Sequence, residues 1–135
     1  MKKKAYLKNT ELKNKDVFKV IELILRFTIF LTFLGHGIIA LEKNMDWLIY
    51  IETVGFSTKT SEKLMTLIGV LDIVVASLMI IKPYKIIVLW AVIWTFSTAL
   101  IRPISGESIW AFVERGTNWG SALILFLILQ KKFKK

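Results

Sequence analysis

The stretch VIELILRFTIFLTFLGHGIIAL, residues 20–41, decides how the rest of the chain is read. Only Glu22, Arg26 and His36 are ionisable among its 22 residues, which are otherwise mainly Leu, Ile, Phe and Thr. Roughly 20 apolar residues, each rising about 1.5 Å, cross the hydrocarbon core of a bilayer as one helix. The stretch therefore predicts a transmembrane helix. Charge at that depth is costly unless it faces protein or water, so Arg26 and His36 need partners from the rest of the chain.

Composition agrees. Hydrophobic residues make up 55% of only 135 residues, with a mean hydropathy of +0.58, which is too apolar for a small soluble domain. The formal charge of +9 sits on residues flanking apolar runs, the pattern of positive-inside topology and not of a nucleic-acid surface. There is no cysteine, which excludes disulfides, thiolate metal sites, CxxC redox chemistry and covalent haem attachment. Any redox role must borrow a cofactor. Haem ligation lacks a second histidine beside His36.

Residues 1–19 form a basic tail, with Lys2, Lys3, Lys4, Lys8, Lys13, Lys15 and Lys19 against Glu11 and Asp16. Anionic inner-leaflet lipid attracts such a run at about 1 kcal/mol per basic residue. The apolar run that follows is too long for the core of a cleaved signal peptide, and Ile38-Ile39-Ala40 lacks a small-x-small cleavage pattern. It is expected to be retained.

Residues 20–135 read as an all-α, integral membrane four-helix bundle, with spans at about 20–41, 64–81, 86–102 and 109–131. Thr28, Thr32 and His36 share one face of the first span, with Gly35 and Gly37 thinning it for a neighbouring helix. Met45 to Val54 is apolar enough for a short helix lying in the interface, broken by Gly55. The second span carries Asp72 on a face with Gly69 and Ala76, and stops at Lys82-Pro83. Trp90, Trp94, Thr98 and Arg102 recur at spacing four in the third span, either walling a flat-ligand pocket or filling core volume. In the fourth, Asn118 to Gln130 is too short to cross, so the helix is drawn back through Glu114 and Arg115 towards Ile109.

The N-terminal tail, the middle turn and the C-terminal tail hold seven, two and four lysines, whereas the opposite connections hold Lys43, Lys59, Lys63, Arg102 and Arg115. Both termini are therefore expected in the cytoplasm and the protein in the cell's inner (plasma) membrane. Counting residues up from the inner boundary places His36, Arg102 and Glu114 at a height of roughly 25 Å, with Asn118 one turn deeper. Beside Trp90 and Trp94 these form a candidate ligand layer, set against simple packing. Arg26 at about 10 Å and Asp72 at about 15 Å form a candidate buried charge pair.

Arg26, Phe33, His36 and Gly37 reproduce the R-x6-F-x2-H-G spacing at the start of the DoxX-like membrane proteins, and Gly69-Val70-Leu71-Asp72 resembles their G-x-x-acid element in the second helix. Phe30 stands where a glycine is common, and Ala40 where a lysine is common, with Lys43 as the nearest replacement. The resemblance covers nearly the whole chain. It implies a four-helix inner-membrane protein grouped with small subunits of quinone-linked oxidoreductases such as thiosulfate:quinone oxidoreductase. On that reading the chain is an accessory redox subunit that binds quinone or a similar flat ligand, with no covalent cofactor and no metal. Its partners are the lipid bilayer, redox-complex subunits and a second copy of itself. Two other readings stand beside it: a small transporter or proton pathway through Asp72 and Arg26, and a membrane anchor that only assembles another protein.

Overall fold

The computed structural model describes the backbone of residues 2–132 and the side chains of residues 15–131. The tail lysines up to Lys13, and Lys132, Lys134 and Lys135, lie outside the described side chains. Every element among the described residues is helical: α1 (Lys2–Leu41), a single 3-10 turn (Met45–Trp47), α2 (Leu48–Thr53), α3 (Thr58–Ile81), α4 (Lys85–Ile104), α5 (Trp110–Val113) and α6 (Gly116–Lys132). Two of these, α3 with 24 residues and α4 with 20, are long and apolar enough to cross a membrane.

The boundaries differ from the sequence expectation in three informative ways. The stretch 20–41 is the second half of a longer helix, because α1 runs unbroken from Lys2. No glycine or proline interrupts the chain before Gly35, and Lys, Glu and Leu are all good helix formers. The helix that carries the second span begins at Thr58, slightly before the start expected at Thr60 or Ser61, since Ser57 adopts extended φ/ψ at the N-cap (−70°, 154°) and its carbonyl accepts from Thr60 and Ser61. Its end is where Pro83 dictates, with Lys82 extended (φ −156°, ψ 100°). The fourth segment, expected as one helix over 109–131, is broken between α5 and α6 at Glu114 and Arg115. Gly116, a poor helix former, opens α6 there.

Helix α1 packs antiparallel along α3, α4 along α6, and α6 against α1; α3 and α4 meet more sparsely. The α1–α3 contact is close because glycine faces glycine. A Cβ on Gly37 would lie 3.0 Å from the Gly69 carbonyl oxygen, and a Cβ on Gly69 would lie 2.9 Å from that of Gly37. Phe33, Ile29, Ala76, Met79, Val88, Ala91, Ala122 and Leu125 fill the main core. A second cluster of Ala40, Leu48 and Met65 pins α2 across the ends of α1 and α3. Thr28 and Thr32 donate to the Ile24 and Thr28 carbonyls of α1 itself.

Large apolar side chains lie on the outer surface as well as in the core. Ala91, Ala99 and Ala122 are completely buried, whereas Leu23, Ile81 and Ile86 are more than three-fifths exposed. Exposed Leu, Ile, Val and Phe side chains run along α1, α3, α4 and α6 alike.

Candidate functional site

The sparse α3–α4 seam encloses a half-open cavity of about 370 Å³. Leu64, Met65, Ile68 and Asp72 of α3 line one wall; Trp94, Ser97, Thr98, Ile101 and Arg102 of α4 line the other. His36 of α1 closes the back, and Trp47 and Tyr50 roof the space from the 3-10 turn and α2. The roof is held where it is because Leu48 is buried against Ala40 and Met65, while Gly55 with φ +99° turns the chain back into α3. The site is therefore an apolar slot with a few convergent polar groups, the usual form of a small-molecule site.

His36 sits with its ring edge-on to Trp47, 5.5 Å between centroids at an interplanar angle of 82°. Its imidazole has no hydrogen-bond partner among the described residues. Deeper in the slot, Asp72 is 3% exposed. The Trp94 indole N–H acts on its carboxyl without reaching full hydrogen-bond geometry. Trp90 stacks behind Trp94, 5.4 Å between centroids at 14°, and fixes the plane of the wall.

At the mouth, Arg102 Nη1 donates to both carboxylate oxygens of Glu107 at 3.2 Å, and its guanidinium lies 4.9 Å from the Tyr50 ring centroid. The Tyr50 hydroxyl donates to the same Glu107. That hydrogen bond, and then the Arg102 charge, hold the Glu107 carboxyl below the ordinary carboxylate range. Tyr50 moves the opposite way: burial, then the bond to Glu107, push its hydroxyl up. Arg115 Nη1 donates to the Ala111 carbonyl at 2.9 Å and to the adjacent Glu114.

Of the six residues expected in the ligand layer, His36, Trp94 and Arg102 line the cavity, whereas Trp90, Glu114 and Asn118 do not. Trp90 supports from behind. Glu114 is 65% exposed beside Arg115, and Asn118 sits in the first turn of α6 with its N–H on the Arg115 carbonyl. Both displacements follow from the break at 114–115, which removes the continuous helical register on which their depth was counted. Sequence reasoning missed Tyr50 and Glu107. The aromatic content of 47–50 was the available signal, but it read equally well as an interface anchor.

The expected Arg26–Asp72 pair does not form. Arg26 Nε donates to the Met79 carbonyl at 2.9 Å and Nη2 to that of Ile80, the last turn of α3. Antiparallel register from the Gly37–Gly69 contact sets Arg26 opposite Ile80 and Asp72 opposite Leu34. The two charges are thus a little over two helical turns apart, roughly 12 Å along the axis. Carbonyls at a helix C-terminus have no intrahelical donors and attract cations, so the arginine has a nearer partner. No protein-family model, curated protein or solved structure matches the chain.

Proposed function

We propose that this chain is a DoxX-like integral membrane protein whose α3–α4 cavity binds quinone or a similar flat ligand, as an accessory component of a quinone-linked redox system. In this reading α1, α3, α4 and the α5–α6 segment form a four-helix bundle in the inner membrane. Helix α2 lies at the outer interface, and both termini are cytoplasmic.

Support for the membrane setting comes from the exposed apolar surface along α1, α3, α4 and α6, which a soluble monomer rarely shows, and from the small residues where helices touch. The cavity is the observation that carries ligand binding. Trp94 and Trp47 offer flat faces, and the slot is apolar along its length. His36 and Arg102 present hydrogen-bond donors to a ring carbonyl, and an imidazole can also accept. The chain supplies binding and orientation; electron transfer would belong to the ligand and to a partner. A transport role through Arg26 and Asp72 loses its coupling, because Arg26 is committed to α3 carbonyls.

The test is the shift in melting temperature on adding menadione to detergent-solubilised protein. Wild type should be stabilised, His36→Leu should lose the shift while keeping its fold, and Arg102→Gln, which retains a donor, should lose less. No shift in wild type, or an equal shift in His36→Leu, would falsify the assignment.

A further inference from the structure

We infer that the mouth of the cavity is an anion subsite, so that the preferred ligand carries an acidic oxygen on its flat ring: a ring-hydroxylated, ionised quinone in preference to a neutral one. The inference rests on reading the cavity as a ligand site and specifies which ligand chemistry that site selects.

Two cationic side chains, Arg102 and Arg115, line the slot near its opening, with the His36 imidazole beyond them. Both guanidiniums are close enough for their charges to act on the imidazole. Their acidic partners, Glu107 and Glu114, are not part of the lining. Each ion pair is thus directed so that the carboxylate lies outside and the cation lies within. Neither arginine is fully spent on its partner. Arg102 and Arg115 each commit only Nη1, although a guanidinium carries five N–H donors. Their side chains are only 13% and 24% exposed, so the remaining donors face little water. Partly desolvated donors of this kind gain most from an ionised acceptor, since charge-assisted hydrogen bonds are roughly twice as strong as neutral ones.

The single acid on the wall does not cancel this field. Asp72 lies beside Trp94, eight residues along α4 from Arg102, which is about 12 Å lower in the slot. A flat ligand with its ionised oxygen between Arg102 and Arg115 would place its ring between the Trp47 and Trp94 faces. The neutral acceptor on the far edge of the ring would then point towards His36 and the Trp94 indole N–H, which is buried without a hydrogen-bond acceptor of full geometry.

Menadione and lawsone make a matched pair of probes, because a ring methyl in the first is a ring hydroxyl in the second and lawsone is an anion at neutral pH. Equilibrium dialysis against detergent-solubilised protein, with empty micelles as the blank, reads the ratio of the two affinities. Wild type should bind lawsone at least about tenfold more tightly than menadione. Arg115→Gln should reduce that ratio, and Arg102→Gln with Arg115→Gln should bring it close to one. Arg115→Lys, which keeps the charge, should retain most of the preference and so separates charge from folding. If both quinones bind wild type equally, the anion subsite is overturned while the cavity assignment stands. If neither binds, the cavity assignment fails and takes the subsite with it. A preference that survives in the double variant overturns the role of these two arginines.

Discussion

Helix α3 is shared by two seams that behave oppositely. Towards α1 it is shut: backbone meets backbone at Gly37 and Gly69, where the space for even one added carbon is absent. Towards α4 it is open: Leu64 and Ile68 face Trp94 and Ile101 across a cavity of about 370 Å³. The two seams start from similar constraints, since α3 and α4 are joined by the short connection through Pro83. The difference is side-chain volume at the crossing. Glycines let two helices dock to backbone distance and leave no room for a ligand, whereas large side chains hold them apart. One helix can therefore anchor the fold on one face and leave a cavity on the other.

Breaking the shut seam should have the largest effect. Gly37→Leu adds a side chain whose first atom already falls 2.8 Å from Ile73 Cδ1 and 3.0 Å from the Gly69 carbonyl oxygen. Overpacking of this kind costs about 1–3 kcal/mol, and the upper end applies where backbone must move. Gly35, two residues away on the same helix, has nothing within 4 Å of the point a Cβ would occupy. Gly35→Ala should therefore stabilise by about 0.5–1 kcal/mol through helix propensity alone. Thermal denaturation in detergent reads both. Equal losses at 35 and 37 would mean that the glycine contact is not what closes the seam.

The Arg26 end of the same seam should be the next most sensitive. Arg26 ties α1 to the last carbonyls of α3, and hydrogen bonds from a charged group are worth about 1.5–3 kcal/mol. Arg26→Met should lose that amount. Because Asp72 faces the open seam instead, Asp72→Leu should act independently, and the double variant should equal the added single effects within about 0.5 kcal/mol. A double variant more stable than Arg26→Met alone by more than any gain from Asp72→Leu would restore the direct pair.

What could be read from residues alone divides along the same line. The shut seam was legible: Gly37 and Gly69 stand in long apolar runs, and small residues there imply close packing whatever the neighbour is. The helical class, the short helix α2 and the stop at Pro83 were legible for similarly local reasons. Partners at the open seam were not, because depth counting assumes unbroken helices and says nothing about rotation. It placed Glu114 and Asn118 beside His36, and the break before Gly116 moved them away. It also paired Arg26 with Asp72 by charge, when the free carbonyls of a helix end offered the arginine a closer site. Glu107 escaped notice because it lies in a loop, where neither periodicity nor depth applies.

The smallest effect should come from the polar roof of the open seam, and pH isolates it. Glu107 accepts from Tyr50 and from Arg102, and its carboxyl is held below the ordinary range in the folded state. A group whose folded pKa is depressed contributes stability above its unfolded pKa, about 4.3 for glutamate, and loses it as pH falls through the folded value. Glu107→Gln can still accept both hydrogen bonds but carries no charge at any pH. The difference in melting temperature between wild type and this variant should therefore be constant near neutral pH, shrink below about pH 4, and vanish in stronger acid. Its size should be less than about 1 kcal/mol, because the Glu107 side chain is 36% exposed and solvent screens the pair with Arg102. Tyr50→Phe removes the leading cause of the shift, so in that background the loss should still begin near the unfolded value but be smaller and complete at higher pH. The same titration locates the roof relative to the cavity: if the bridge holds α2 over the slot, bound menadione should slow or prevent the low-pH loss. A wild-type and Glu107→Gln difference that stays flat from neutral pH into acid would mean that Tyr50, Glu107 and Arg102 touch without coupling, and that buried Leu48 alone keeps the roof in place.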